Sequence, residues 1–81
     1  MNADESRSIV VGLVHQIAPE VDVESIDPNV DLRREVDLDS LDFMTLVELI
    51  ARDTHVEIRE RDYPQVRTLN SLAAYITAHT Q

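Results

Sequence analysis

Leu38-Asp39-Ser40-Leu41-Asp42-Phe43-Met44 joins an acidic stretch to a run whose apolar residues continue at Leu46, Val47, Leu49 and Ile50. That recurrence predicts an amphipathic helix starting near Asp39 or Ser40 and running to about Asp53. With Asp39 as the cap, Asp42 falls at the third helical position, close to a capping-box arrangement. A serine here stands in the first turn, its hydroxyl near backbone N–H groups that have no intrahelical partner. Such a place suits a covalently attached phosphate, because free amides and the helix dipole both favour negative charge. It equally suits a serine that does no more than cap, so the surrounding chain must decide.

Upstream, Ile9, Val10, Leu13, Val14 and Ile17 recur at helical spacing, and Pro19 stops that run after Ala18. Asp4 or Ser6 is the expected cap of this first helix. Downstream, Thr68 is placed to cap a last helix whose Leu69, Leu72, Ala73 and Ile76 share one face. Arg59 to Gln65 has room for a short turn of helix restricted by Pro64, which makes the third helix minor. From Pro19 to Leu38 the chain needs a long first loop, marked by a turn at Pro28-Asn29 and pinned by Ile26, Val30, Leu32, Val36 and Leu38. The expected architecture is all-α: a small four-helix bundle of three main helices plus one short helix, forming a single domain over residues 1–81. A chain that starts at Met1 and has almost no tail is expected to stand alone.

Composition narrows the function. The chain has no cysteine, which excludes a disulfide scaffold and a thiolate zinc site. Its polar, acidic N-terminus is unlike a secretory signal, and Ile9 to Leu13, the longest apolar stretch, is far too short to span a bilayer. A cytoplasmic location is expected. Net charge is −9, and the stretch from Glu20 to Glu48 carries ten acids against Arg33 and Arg34 alone. That sign disfavours nucleic acid and anionic membrane and favours a protein partner with a basic patch.

With the helix order and charge placement in view, Asp31-Leu32-(x5)-Leu38-Asp39-Ser40-Leu41-Asp42 opening the second helix resembles the acyl carrier proteins of fatty acid and polyketide synthesis. The resemblance covers roughly residues 5 to 80, including Ile58 before the short third helix and Thr68-Leu69 opening the fourth. It implies that Ser40 accepts 4′-phosphopantetheine from coenzyme A through a separate Mg²⁺-dependent phosphopantetheinyl transferase. Acyl intermediates then ride as thioesters on the thiol of that arm. It further implies a monomer without catalytic residues of its own, which visits acyl-transferring, ketosynthase or acyl-ligase type enzymes through basic docking patches on them. Leu41 and Met44 match apolar partner contacts, and Asp39, Asp42 and Glu48 the charged rim around them. Leu46, Val47, Ile50, Ile58 and Leu72 are the residues that would shelter an acyl chain, although the same spacing first of all describes an ordinary core. Departures from the family accompany the match. Asp37 and Leu38 stand where the fatty-acid branch commonly has glycine, Thr45 replaces an acid, and Arg59, Arg61 and Arg67 populate a region that is typically acidic. They point to a dedicated carrier with its own partner set, and the missing glycine-rich stretch disfavours a peptidyl carrier.

Other chemistries fit less well. A hydrolase with Ser40 as nucleophile and His15, His55 or His79 as base lacks a nucleophile elbow, since the chain has one glycine; His79 is expected in a fraying tail. Asp37, Asp39 and Glu48 fall at positions 1, 3 and 12 of an EF-hand loop. Leu41 and Asp42 then occupy positions 5 and 6, where an oxygen ligand and a glycine are required, so no metal site is expected. The remaining alternative is an unmodified acidic helical interaction module anchored by Leu41 and Met44.

Overall fold

The computed structural model describes residues 1–80. Four α-helices make up the frame: α1 (Ala3–Ile17), α2 (Leu32–Glu35), α3 (Ser40–Thr54) and α4 (Leu69–His79). Short 3-10 segments at Val23–Ser25 and Glu60–Gln65 complete it, and no strand occurs among the described residues. The all-α expectation holds: α1, α3 and α4 are the three main helices, and Glu60–Gln65 is the expected minor one. The helix α2 and the Val23–Ser25 turn, both inside the long loop, are additional.

The cap of α1 differs from the expectation. Asn2, rather than Asp4 or Ser6, closes a capping box with Glu5: the Glu5 amide donates to the Asn2 side chain at 2.8 Å, and Glu5 accepts in return from the Asn2 amide. Asp4 sits in the first turn, where its charge suits the dipole. Ser6 is fully buried, its hydroxyl 2.8 Å from Thr77 Oγ1 on α4.

Val10, Leu13 and Val14 of α1, Leu46 and Ile50 of α3, and Leu72 and Ile76 of α4 form one continuous core. The loop joins it through Ile26, Leu32, Val36 and Leu38, whereas Val30 stays 36% exposed beyond the Pro28-Asn29 turn and pins nothing. Polar contacts supply the missing anchor. The Leu32 amide donates to Arg67 O at 2.7 Å, Asp31 and Thr68 pair as an antiparallel bridge, and the Asn70 amide donates to Pro28 O at 3.0 Å. The loop is thereby stitched to the chain entering α4. His79 is the last residue of α4 rather than part of a frayed tail, with its ring stacked on Tyr75 at 4.0 Å and Nδ1 2.8 Å from Tyr75 O. No helix among the described residues is long and apolar enough to cross a membrane.

Candidate functional site

The N-terminus of α3 is built by Asp39. Its backbone is extended, and its carboxylate accepts from the Asp42 amide at 2.8 Å while Asp42 accepts from the Asp39 amide at 3.4 Å. The Phe43 amide donates to Asp39 O. This arrangement settles what Ser40 does locally: it is the first helical residue, not the cap, and its hydroxyl serves no backbone amide. Among the described residues, the amides of Ser40 and Leu41 find no protein acceptor, as the first turn of a helix requires.

Ser40 is exposed, and among the described residues its one side-chain hydrogen bond is with Arg33, whose guanidinium donates to Ser40 Oγ at 3.2 Å. Sequence reasoning missed Arg33. They lie seven positions apart, the end of α2 and the α3 cap fall between them, and no periodic pattern links them. The contact depends on α2 ending sharply, with Asp37 at φ 56° and the Leu38 amide donating back to Arg33 O at 3.1 Å.

The five remaining predicted residues lie on α3 or its cap. Leu41 is 72% exposed and Met44 47%, large values for apolar side chains within a helix whose other apolar residues are buried or half-buried. Glu48 is exposed one further turn along the same face, Asp39 is exposed, and Asp42 is half-buried by its capping role. Phe43, Leu46, Val47 and Ile50 occupy the opposite, buried face. Leu46, Val47, Ile50, Ile58 and Leu72 are all packed into the core, and the surface cleft beside Ser40 is lined by other side chains.

Neither of the competing chemistries is assembled. His15, His55 and His79 are exposed on α1, at the α3 C-cap and at the end of α4, and none bonds to Ser40. Positions 4 to 12 of the would-be calcium loop are continuous helix, and no cluster of three metal-ligating side chains occurs among the described residues.

A hydroxyl free of capping, a guanidinium at 3.2 Å and two open amides at the positive end of a fifteen-residue helix fit a phosphodiester on a serine. The family model for the phosphopantetheine attachment site matches residues 9–76, from within α1 to Ile76 of α4. Its members hold 4′-phosphopantetheine covalently and, as carriers, meet modifying and acyl-handling enzymes. By a match over most of its length, with the all-α frame that such a carrier requires, this chain belongs to the phosphopantetheine-binding carrier family.

Proposed function

We propose that residues 1–81 form an acyl carrier domain, itself without catalytic activity, that bears 4′-phosphopantetheine on Ser40. The observation that carries this reading is the division of labour at the α3 N-terminus: Asp39 does the capping, so Ser40 Oγ is exposed and unspent. On loading, Ser40 Oγ gives its proton to a base of the transferase and forms a bond to the pantetheine phosphorus of coenzyme A. Adenosine 3′,5′-bisphosphate leaves. Arg33 lies where it would pair with the new phosphodiester, and the open amides of Ser40 and Leu41 face the same charge. Once attached, the arm supplies a thiol that carries acyl groups as thioesters.

The face of Leu41, Met44 and Glu48, rimmed by Asp39 and Asp42, would dock the phosphopantetheinyl transferase and then the acyl-transferring, ketosynthase or acyl-ligase type enzymes. Apolar anchors within an acidic rim suit partners with basic patches. The setting is cytoplasmic fatty acid, polyketide or related specialised acyl-chain synthesis, with the protein acting as a monomer. Intact mass after incubation with coenzyme A, Mg²⁺ and a broad-specificity transferase tests the proposal. One phosphopantetheine is gained by the wild type and none by Ser40→Ala. No gain with several transferases would instead identify an unmodified interaction module.

A further inference from the structure

A cleft of ≈ 410 Å³ opens beside Ser40, within the size range of small-molecule sites. Its apolar lining includes Leu38, Phe43 and Tyr63, the two rings meeting edge to face at 5.3 Å, and its charged lining residues are Asp31, Arg33, Arg34 and Arg67. Three of the chain's seven basic residues thus meet at one place in a protein of net charge −9. None of the three is neutralised: the one ion pair among the described residues is Arg52–Asp53. Asp31, the carboxylate on the lining, is engaged as the cap of α2, accepting from the Arg33 amide at 3.0 Å. Arg33 and Arg34 are neighbours on α2, and Arg67, distant in sequence, is brought to them by the bond from the Leu32 amide to Arg67 O and the Asp31–Thr68 bridge. The three guanidinium charges outnumber the single lining carboxylate, so they repel one another, and an arriving anion relieves that repulsion. All seven cations are arginine, the side chain whose planar fork grips carboxylates in two parallel hydrogen bonds.

Resting on the attachment of the arm to Ser40, we propose that this cleft seats the carried acyl group, and that the group it selects bears a carboxylate at the end distal to the thioester. Arg33 stands at the mouth, beside the attachment oxygen. Arg34 and Arg67 take the carboxylate, and Leu38, Phe43 and Tyr63 cover the methylenes between. An uncharged chain of equal length gains the same apolar contact but no paired hydrogen bonds from the guanidinium groups, so it is held less well.

The test compares two arms of equal length on Ser40, amide-linked glutaryl and pentanoyl pantetheine, loaded enzymatically and verified by intact mass. Backbone amide chemical shifts are then read for both. Glutaryl is expected to move the amides of Leu38, Tyr63 and Arg67 at least threefold more than pentanoyl. High salt and the double variant R34Q/R67Q should each erase the difference, while the remaining spectrum reports an intact fold. Equal shifts for the two arms, or shifts along Leu46, Ile50 and Leu72 instead, would overturn the inference and leave the carrier reading standing. So would free glutarate or an acidic peptide moving the same amides equally well in the unmodified protein, which would mark a general anion surface. Failure to load at Ser40 would overturn both.

Discussion

Replacing Asp39 by alanine separates the two duties that meet at the start of α3. The carboxylate that accepts from the Asp42 amide at 2.8 Å is a full N-cap, and losing one costs about 1 kcal/mol. The same change removes a negative charge from the positive end of the helix, a further ~0.3–1 kcal/mol. The return bond from the Asp39 amide to Asp42 is 3.4 Å long and adds little. Asp39→Ala should therefore lose roughly 1–2 kcal/mol, which in a domain of this size lowers Tm by about 4–8 °C per kcal/mol. Asp39→Asn keeps the acceptor and should lose only the charge contribution; Asp42→Ala, which removes the long bond and one charge, should fall near Asp39→Asn. The consequence for Ser40 is sharper than the one for stability. Without Asp39, the nearest side chain able to cap is Ser40 itself, and a capping hydroxyl is no longer free. Loading measured by intact mass should slow in Asp39→Ala beyond any loss in Asp39→Asn. Thermal unfolding followed by circular dichroism, run beside loading time courses, reads both effects. A Tm change under about 2 °C in Asp39→Ala, or equal losses in Asp39→Ala and Asp39→Asn, would refute the division of labour.

The two faces of α3 should respond oppositely to truncation. Leu46→Ala, at a fully buried position, is expected to cost about 2–5 kcal/mol in urea unfolding, whereas Leu41→Ala, 72% exposed, should stay within about 0.5 kcal/mol and show its effect in partner turnover. Burial, reinforced by a hydrogen bond to Asp62 at 2.9 Å, pushes the Tyr75 hydroxyl above the ordinary tyrosine range. The fold thus favours protonated Tyr75. Its contribution is complete below the unfolded pKa near 10 and is lost as pH rises through the higher folded value, so Tyr75→Phe should flatten the alkaline end of a stability–pH profile.

Much of this molecule is legible in its sequence because its governing signals are local. The bounds of α3 follow from apolar spacing and from the pair Asp39 and Asp42, and those of α4 from Thr68 and the face of Leu69, Leu72 and Ile76. The cap of α1 was equally available, since Asn2 precedes Glu5 by the capping-box interval, but Asp4 and Ser6 lie nearer the periodic run and draw attention from it. What could not be read is what depends on contacts across the chain. Val30 has the composition of a pinning residue and is left outside because the loop is held by backbone bonds to Arg67 and Asn70. Arg67 reads as a departure from an acidic pattern until those bonds place it with Arg33 and Arg34.

Asp37 shows how a departure from the family can keep the geometry it replaces. Glycine is common in the fatty-acid branch near this position, three residues before the serine. Asp37 has φ 56°, a left-handed conformation that glycine adopts without steric cost. It lies just past the Val36 C-cap of α2, and the next amide, that of Leu38, donates to Arg33 O at 3.1 Å, the bond that closes a Schellman-type helix end. Leu38 then turns into the core at 6% exposure, so this stop sets both the mouth of the cleft and the approach to Asp39. Aspartate is among the few residues other than glycine that visit this conformation, which explains why the substitution is tolerated. Restoring glycine removes left-handed strain of roughly 1–2 kcal/mol and returns about 0.4–1 kcal/mol of freedom to the unfolded chain. Asp37→Gly should therefore gain about 0.5–1 kcal/mol and raise Tm by a few degrees. Asp37→Val, β-branched and unable to hydrogen-bond locally, should lose stability and weaken the contact between Arg33 and Ser40. Equal Tm values for the two variants would show that the left-handed stop is not what positions Ser40.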